Sequence, residues 1–217
     1  MNTSPEDYLK NIYIVKETVG KVTTSGLAEK MGITAPAVSD MISKLAKSGH
    51  IKNIPYKGFE LTKKGEETAI NLIRKHRLWE VFLVQELGYE WNKVHDEAEK
   101  LEHSSSDELI TKLEEYLSFP EFDPHGHPIP DKQGKIIKQK VIPCTELEVG
   151  DIAEIREVSD ASPEVLGYLT KVGLRLNVKF SVIEKINFDN SVQIEFENQK
   201  IFLSEKLAKN IYVRKIG

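Results

Sequence analysis

A chain of 217 residues, 40% hydrophobic and 29% charged, is long enough for two or three folding units and has the composition of a soluble protein. No run reaches the ~18 apolar residues of a membrane span, the first residues carry no signal-peptide pattern, and a single cysteine, Cys144, excludes an intramolecular disulfide, so a reducing cytoplasm is the expected location. The net charge of −4 hides a division: residues 1–77 carry 13 Lys/Arg against 8 Asp/Glu and the rest 17 against 26, which points to an anionic partner for the front part.

Pro5, Glu6 and Asp7 suit the first turn of a helix that continues through Leu9, Ile12 and Tyr13 until Val19-Gly20 ends it. A short helix is predicted from Ser25 to Met31, then a tight turn at Gly32-Ile33, a capping Thr34, and a third helix with Pro36 in its first turn. Val38, Met41, Ile42 and Leu45 give that helix a core face. Thr34, Pro36, Ala37, Ser39, Asp40, Ser43 and Lys44 point elsewhere.

Two helices about a glycine turn, the second with a small polar outer face, are the parts of a helix-turn-helix. The first residues of the second helix would meet base edges in a major groove: Ser and Thr can bond bases or phosphates, and Pro36 and Ala37 can touch thymine methyls. Ile51–Ile54, a turn at Pro55-Tyr56-Lys57-Gly58, and Phe59–Thr62 read as a two-stranded wing with Lys57 at its tip. A generic three-helix core with a hairpin would show much of the same pattern. The basic front half and Lys57 favour DNA.

A long amphipathic helix follows from about Lys63 to Leu87, stopped by Gly88, with further helices expected at Trp91–His103 and Ser106–Leu117. They offer more apolar surface than three helices need for one another, which predicts self-association. Within Trp91–His103, the residues His95, Glu99, Glu102 and His103 share one narrow helical stripe, with Val94, Ala98 and Leu101 beside it and Asp96, Glu97 and Lys100 behind. His76 and Glu80 lie one turn apart on the preceding helix. A solvated helix face would carry the same glutamates, but not three of the chain's six histidines. Imidazole mixed with carboxylate is a ligand set for borderline and hard divalent cations, whereas structural zinc sites favour thiolates.

Pro120, Pro124, Pro128 and Pro130 hold the next segment extended, and Asp131–Val141 loses periodicity like a linker. Short strands are expected at Asp151–Val158, Val178–Ile186, Ser191–Phe196, Lys200–Leu203 and Ile211–Val213, with a helix at Ser162–Val172.

Arg-Lys-His-Arg-Leu (74–78), Lys-Val-His-Asp-Glu-Ala-Glu (93–99), Leu-Glu-His (101–103), Ser-Asp-Glu (106–108) and Phe-Asp-Pro-His-Gly-His-Pro-Ile-Pro (122–130) resemble the diphtheria-toxin-repressor family. The resemblance covers essentially the whole chain and is closest to the manganese-responsive members with a third domain. It implies a metal-activated dimeric repressor. Its primary site would map to Asp7, Glu99, Glu102 and His103, with His76 nearby; iron-type members resemble this chain less at two of these positions, having Met and Cys where Asp7 and Glu99 stand here. Lys10 departs from the short manganese regulators, which have a carboxylate there, so their two-metal cluster does not transfer. An ancillary site would draw on Glu80, Asp123, His125 and Asp160, with His95 contributing in some branches; His127 has no clear counterpart. Val-Gly-Leu-Arg-Leu (172–176) resembles the ferrous-transport-A type of SH3-like barrel.

The expected fold is therefore mainly α with a small β domain: a winged helix-turn-helix over 1–73, a helical dimerisation and metal-binding domain over 74–130, a linker over 131–145 and an SH3-like domain over 146–217. The expected function is that of a manganese-activated repressor of metal-uptake genes, acting as a homodimer on double-stranded operator DNA, with Fe2+ as the alternative activator and other divalent transition metals binding in vitro. No membrane partner is expected. A metalloenzyme would add a general base and a substrate pocket, for which the chain offers no pattern. A winged-helix regulator answering to an organic ligand would leave the His and Glu register unexplained.

Overall fold

The computed structural model describes residues 4–54, 58–160 and 162–217. These form two compact units: residues 1–76 with 130–136, and residues 77–129 with 137–217.

The first unit starts at helix α1 (Pro5–Val19), set by a capping box in which Asp7 Nα–H donates to Ser4 Oγ and Ser4 Nα–H donates to Asp7 Oδ2 at 2.7 Å. Helix α2 (Thr24–Met31) is capped by Thr23 and closed by Gly32 at φ 64°, a left-handed turn that a glycine adopts without cost. Helix α3 (Ala35–Lys47) then begins behind the Thr34 cap. Leu9, Ile12, Leu27, Val38, Ile42 and Leu45 meet in one core with Ile51, Phe59 and Leu61. Truncating such a buried leucine to alanine costs about 2–5 kcal/mol. Strands β1 (Ile51–Ile54) and β2 (Gly58–Leu61) pair antiparallel, Ile51 opposite Leu61 and Asn53 opposite Phe59. Lys52 and Glu60 face each other across this pair at 3.3 Å. The wing tip expected at Lys57 lies outside the described residues.

Helix α4 (Lys63–Gln85) enters against the turn before β1 so closely that a Cβ on Gly65 would stand 2.1 Å from the His50 carbonyl oxygen. Its residues through His76 belong to the first unit, and those from Arg77 to the second.

In the second unit, α5 (His95–Ser104) and α6 (Asp107–Tyr116) pack with the rest of α4 through Leu78, Val81, Ile110 and Leu113, and through Leu83, Val94 and Ala98. The helix expected from Trp91 starts only at His95, because residues 91–94 form turns. Trp91 is committed elsewhere: its indole Nε1–H donates to Thr170 Oγ1 at 2.6 Å, and its ring packs on the core of the β-sheet.

That sheet is antiparallel throughout, in the order β3-β8-β4-β5-β6-β7, from β3 (Ile142–Pro143), β4 (Ile152–Val158), β5 (Lys179–Ile186), β6 (Ser191–Phe196), β7 (Gln199–Leu203) and β8 (Ile211–Lys215). Strands β4 to β8 are the five expected of the SH3-like domain, and β3 adds a sixth at the edge. Helix α7 (Pro163–Val172) lies between β4 and β5 in sequence, and Leu166 and Leu169 enter the core with Ile155, Ile194 and Val213. Three elements were not legible from periodicity: the two-residue β3, the 3-10 turn Cys144–Glu146, and helix α8 (Glu205–Ala208). Each is too short to show a period.

Candidate metal centre

Glu80 of α4 and His125 of the 121–129 loop are both fully buried, and both belong to the second unit. His125 Nε2 lies 2.7 Å from the Trp91 carbonyl oxygen. A carbonyl only accepts, so Nε2 carries the proton. Nδ1 lies 3.5 Å from Glu80 Oε2 and, among the described residues, makes no hydrogen bond. A buried imidazole nitrogen without a hydrogen bond, aimed at a buried carboxylate, is the arrangement a cation would complete. One ligand atom each from Glu80, His125 and Asp160 lies within 4.8 Å of the others. Glu80 Oε1 faces His95 Nδ1 at 3.7 Å, so the carboxylate stands between two imidazoles.

The electrostatics fit that reading. Burial lowers the His125 pKa, but the Glu80 and Asp123 carboxylates more than offset it and the net shift is upward. Burial raises Asp160, yet the imidazoles of His127, His125 and His95 hold it below the usual carboxylate range. A divalent ion would do the work these rings do.

The 121–129 loop is held on β4. Val158 Nα–H donates to the His125 carbonyl at 2.8 Å, and Gly126, at φ 92°, approaches so closely that a Cβ there would lie 2.1 Å from the Arg156 carbonyl oxygen. Asp123 shapes the loop from within. Its Oδ1 accepts from the Nα–H groups of His125 and His127 at 2.8 and 2.9 Å, while Oδ2 meets His127 Nδ1 at 3.0 Å and Arg77 Nε at 3.6 Å. Both oxygens of this expected ligand are thus engaged in fixing the loop that carries His125.

His127, left unassigned from sequence, is half-buried in this cluster. Burial lowers its pKa, but Asp123 and Asp160 outweigh that and push it up to about 9. Its Nε2 faces Glu157 Oε1 at 4.0 Å. Neither Glu157 nor Arg77 stood out in the sequence. The signal for Glu157 was hidden because the β4–β8 register shifts between Ile155 and Glu157, and a bulge re-aims side chains that simple alternation would send the other way.

On α5, Glu99, Glu102 and His103 bring ligand atoms within 4.8 Å of one another. Glu102 is buried, with Oε1 at 3.6 Å from His103 Nε2, and Glu99 Oε1 lies 3.7 Å from His95 Nε2. His76 is buried one turn before Glu80 on α4. Asp7 stands on α1 of the first unit, half-buried in its capping box.

In the first unit, Thr34, Pro36, Ala37, Ser39, Asp40, Ser43 and Lys44 are all exposed along one side of α3, opposite buried Val38, Ile42 and Leu45. Asp40 Oδ2 and Lys44 Nζ pair at 2.7 Å.

The comparisons with known proteins cover nearly the whole chain. Residues 1–59 match the family model of the iron dependent repressor N-terminal DNA binding domain, residues 62–131 that of the iron dependent repressor metal binding and dimerisation domain, and residues 142–215 the FeoA domain. The iron-dependent repressor IdeR of Mycobacterium tuberculosis is 32% identical over 158 residues, spanning 73% of this chain and 67% of that protein. A solved manganese-dependent transcriptional repressor in complex with manganese is similar with a TM-score of 0.92 at 35% identity, over 98% of this chain and all of that one. ScaR with bound Zn2+ is similar with a TM-score of 0.84 at 34% identity, over 99% of this chain and all of that one.

Proposed function

We propose that this chain, which belongs to the iron-dependent repressor family of metal-dependent, DNA-binding transcriptional repressors, is activated by manganese and represses metal-uptake genes as a homodimer in the cytoplasm. The family is one of DNA-binding repressors and not of enzymes. Among the described residues, no helix is long and apolar enough to cross a membrane.

The observation that carries the manganese reading is the donor set. Every proposed ligand offers oxygen or imidazole nitrogen, and the one thiol, Cys144, is buried in the sheet core. Carboxylate oxygen suits hard cations such as Mn2+, although raw affinity still favours later metals. We assign one ion to Asp7, Glu99, Glu102 and His103, the set that the family resemblance implies. A second falls to Glu80, His125 and Asp160, with His95 beside Glu80, His76 one turn before it, and Asp123 holding the loop. The ion supplies positive charge that offsets repulsion among these carboxylates.

Asp7 sits on the first helix of the DNA-reading unit, and the α5 residues sit in the unit named for dimerisation. Ligands drawn from both make metal affinity and DNA affinity reciprocal: a conformation that gathers the ligands and fits the operator is favoured by either partner. Iron remains the second reading, favoured by the likeness to an iron-dependent repressor.

The test is operator binding by mobility shift in chelator, in Mn2+ and, anaerobically, in Fe2+. Binding that needs metal, with Mn2+ effective at the lower free concentration, supports the proposal. Equal binding in chelator removes the linkage, and a lower requirement for Fe2+ replaces manganese by iron. Glu102→Ala is expected to lose metal activation while remaining a dimer.

A further inference from the structure

We propose that Asp40 and Lys44 of α3 act as one readout element for a single C·G base pair in the operator: the free Asp40 carboxylate oxygen accepts from the cytosine N4 amino group, and Lys44 Nζ donates to O6 or N7 of the paired guanine. This deepens the repressor reading and rests on it.

The geometry of α3 leaves few residues for base contact. Val38, Ile42 and Leu45 fix the helix rotation by entering the core, so the opposite side carries Pro36, Asp40, Ser43 and Lys44, of which Asp40 and Lys44 alone are charged. Asp40 and Lys44 are one helical turn apart, two-thirds and nearly two-thirds exposed, with Asp40 Oδ2 at 2.7 Å from Lys44 Nζ. That contact uses one carboxylate oxygen and one ammonium N–H, so the pair still has one acceptor oxygen and two N–H donors to offer.

Asp40 is the only acidic residue in α3. A carboxylate on a surface that approaches phosphates opposes binding to every sequence alike. An exposed i,i+4 pair adds little to helix stability, so stability does not account for it. What an aspartate offers in a major groove is an acceptor, and the donor suited to it is cytosine N4. Guanine, across the same pair, presents two acceptors side by side for a lysine. An A·T pair also offers an amino donor on the Asp40 side and a carbonyl on the Lys44 side, but the thymine methyl lies beside that carbonyl and presses on the ion pair. A T·A pair instead sets a carbonyl against the carboxylate and an amino group against the ammonium. The paired charges therefore select C·G, and Lys44 neutralises the carboxylate that does so.

The experiment uses the full chain with saturating Mn2+ at one fixed salt concentration. Duplexes are selected from a random pool, and affinities for the selected duplex and its single base-pair substitutions are then measured by fluorescence anisotropy. The parent is expected to select C·G at one position per half-site and to bind about tenfold more weakly when it becomes T·A. Asp40→Ala should cut that penalty below about twofold while preferences at other positions persist, which also shows that the variant is folded. Asp40→Asn should move the preference towards adenine, since a carboxamide both accepts from N6 and donates to N7. The inference is overturned if Asp40→Ala keeps the parent's penalty at every position, or if the position it alters prefers A·T or T·A in the parent. A parent that selects no duplex overturns the repressor reading and this inference together; a parent and Asp40→Ala that select the same duplex with the same penalties overturn the inference alone.

Discussion

The His125 ring and the Trp91 backbone determine one another's roles: Nε2–H is held 2.7 Å from the Trp91 carbonyl, and the two rings stack with centroids 5.8 Å apart. In the neutral ring the bond fixes the tautomer, so a lone pair is at Nδ1 and faces Glu80, where a cation would displace a proton. Metal-binding histidines are commonly backed by such an acceptor on the far nitrogen. His125→Ala removes the donor, and Mn2+ titration by calorimetry is expected to count one ion fewer per chain than in the parent. An unchanged count would place the second ion elsewhere.

Gly126 sets how closely the loop lies on β4. Alanine there would need a positive φ and a Cβ 2.1 Å from the Arg156 carbonyl, so the loop must lift. Gly126→Ala is expected to cost at least about 2 kcal/mol by urea denaturation. It should also raise hydrogen exchange at the Val158 amide, whose acceptor is the His125 carbonyl. Wild-type stability with a protected Val158 amide would show that the loop has another way to seat.

Long periodic helices and the ligand stripes were legible because both follow from spacing. His95, Glu99, Glu102 and His103 share α5 as their register requires. The loop cluster was legible only in part. His125 could be singled out by resemblance, but its companions Glu157 and Arg77 come from a bulged strand and a helix distant in sequence, and no local period marks such a meeting. Trp91 misled for a related reason: it suits a helical pattern, yet its hydrogen bond to Thr170 draws it out of the helix. Tertiary contacts decided both cases, as they do wherever local preference is weak.

Cys144 gives a pH-dependent probe of the second unit. Burial pushes its thiol up to about 12, with nearby Lys185 pulling the other way. The folded form therefore holds its proton where an exposed thiol, with an ordinary value of 9.0, would lose it. This stabilising contribution is complete below pH 9.0 and is lost as pH rises towards 12. At pH 8 the thiol should resist iodoacetamide and react only in proportion to the fraction unfolded across a urea series. Alkylation of the native protein at the unfolded rate would mean that this part of the sheet opens freely.

Metal selection is tested most directly at Asp7 and Glu99. Both supply anionic oxygen, whereas the thioether and thiolate of the iron-type resemblance are softer donors with other preferred geometries. Asp7→Met combined with Glu99→Cys is expected to shift activation of DNA binding from Mn2+ towards Fe2+ or its redox-stable mimics Co2+ and Ni2+. The Asp7 change also removes a side chain that accepts the Ser4 N–H in the α1 capping box, a loss of about 1 kcal/mol. Asp7→Asn, which keeps an acceptor oxygen for that cap, therefore controls for helix stability through its melting temperature. The measurement is the free concentration of each metal giving half-maximal operator binding under anaerobic conditions. If the ratio of Mn2+ to Fe2+ requirement is the same in parent and double variant, donor softness at these positions does not select the metal, and the manganese assignment loses its physical basis.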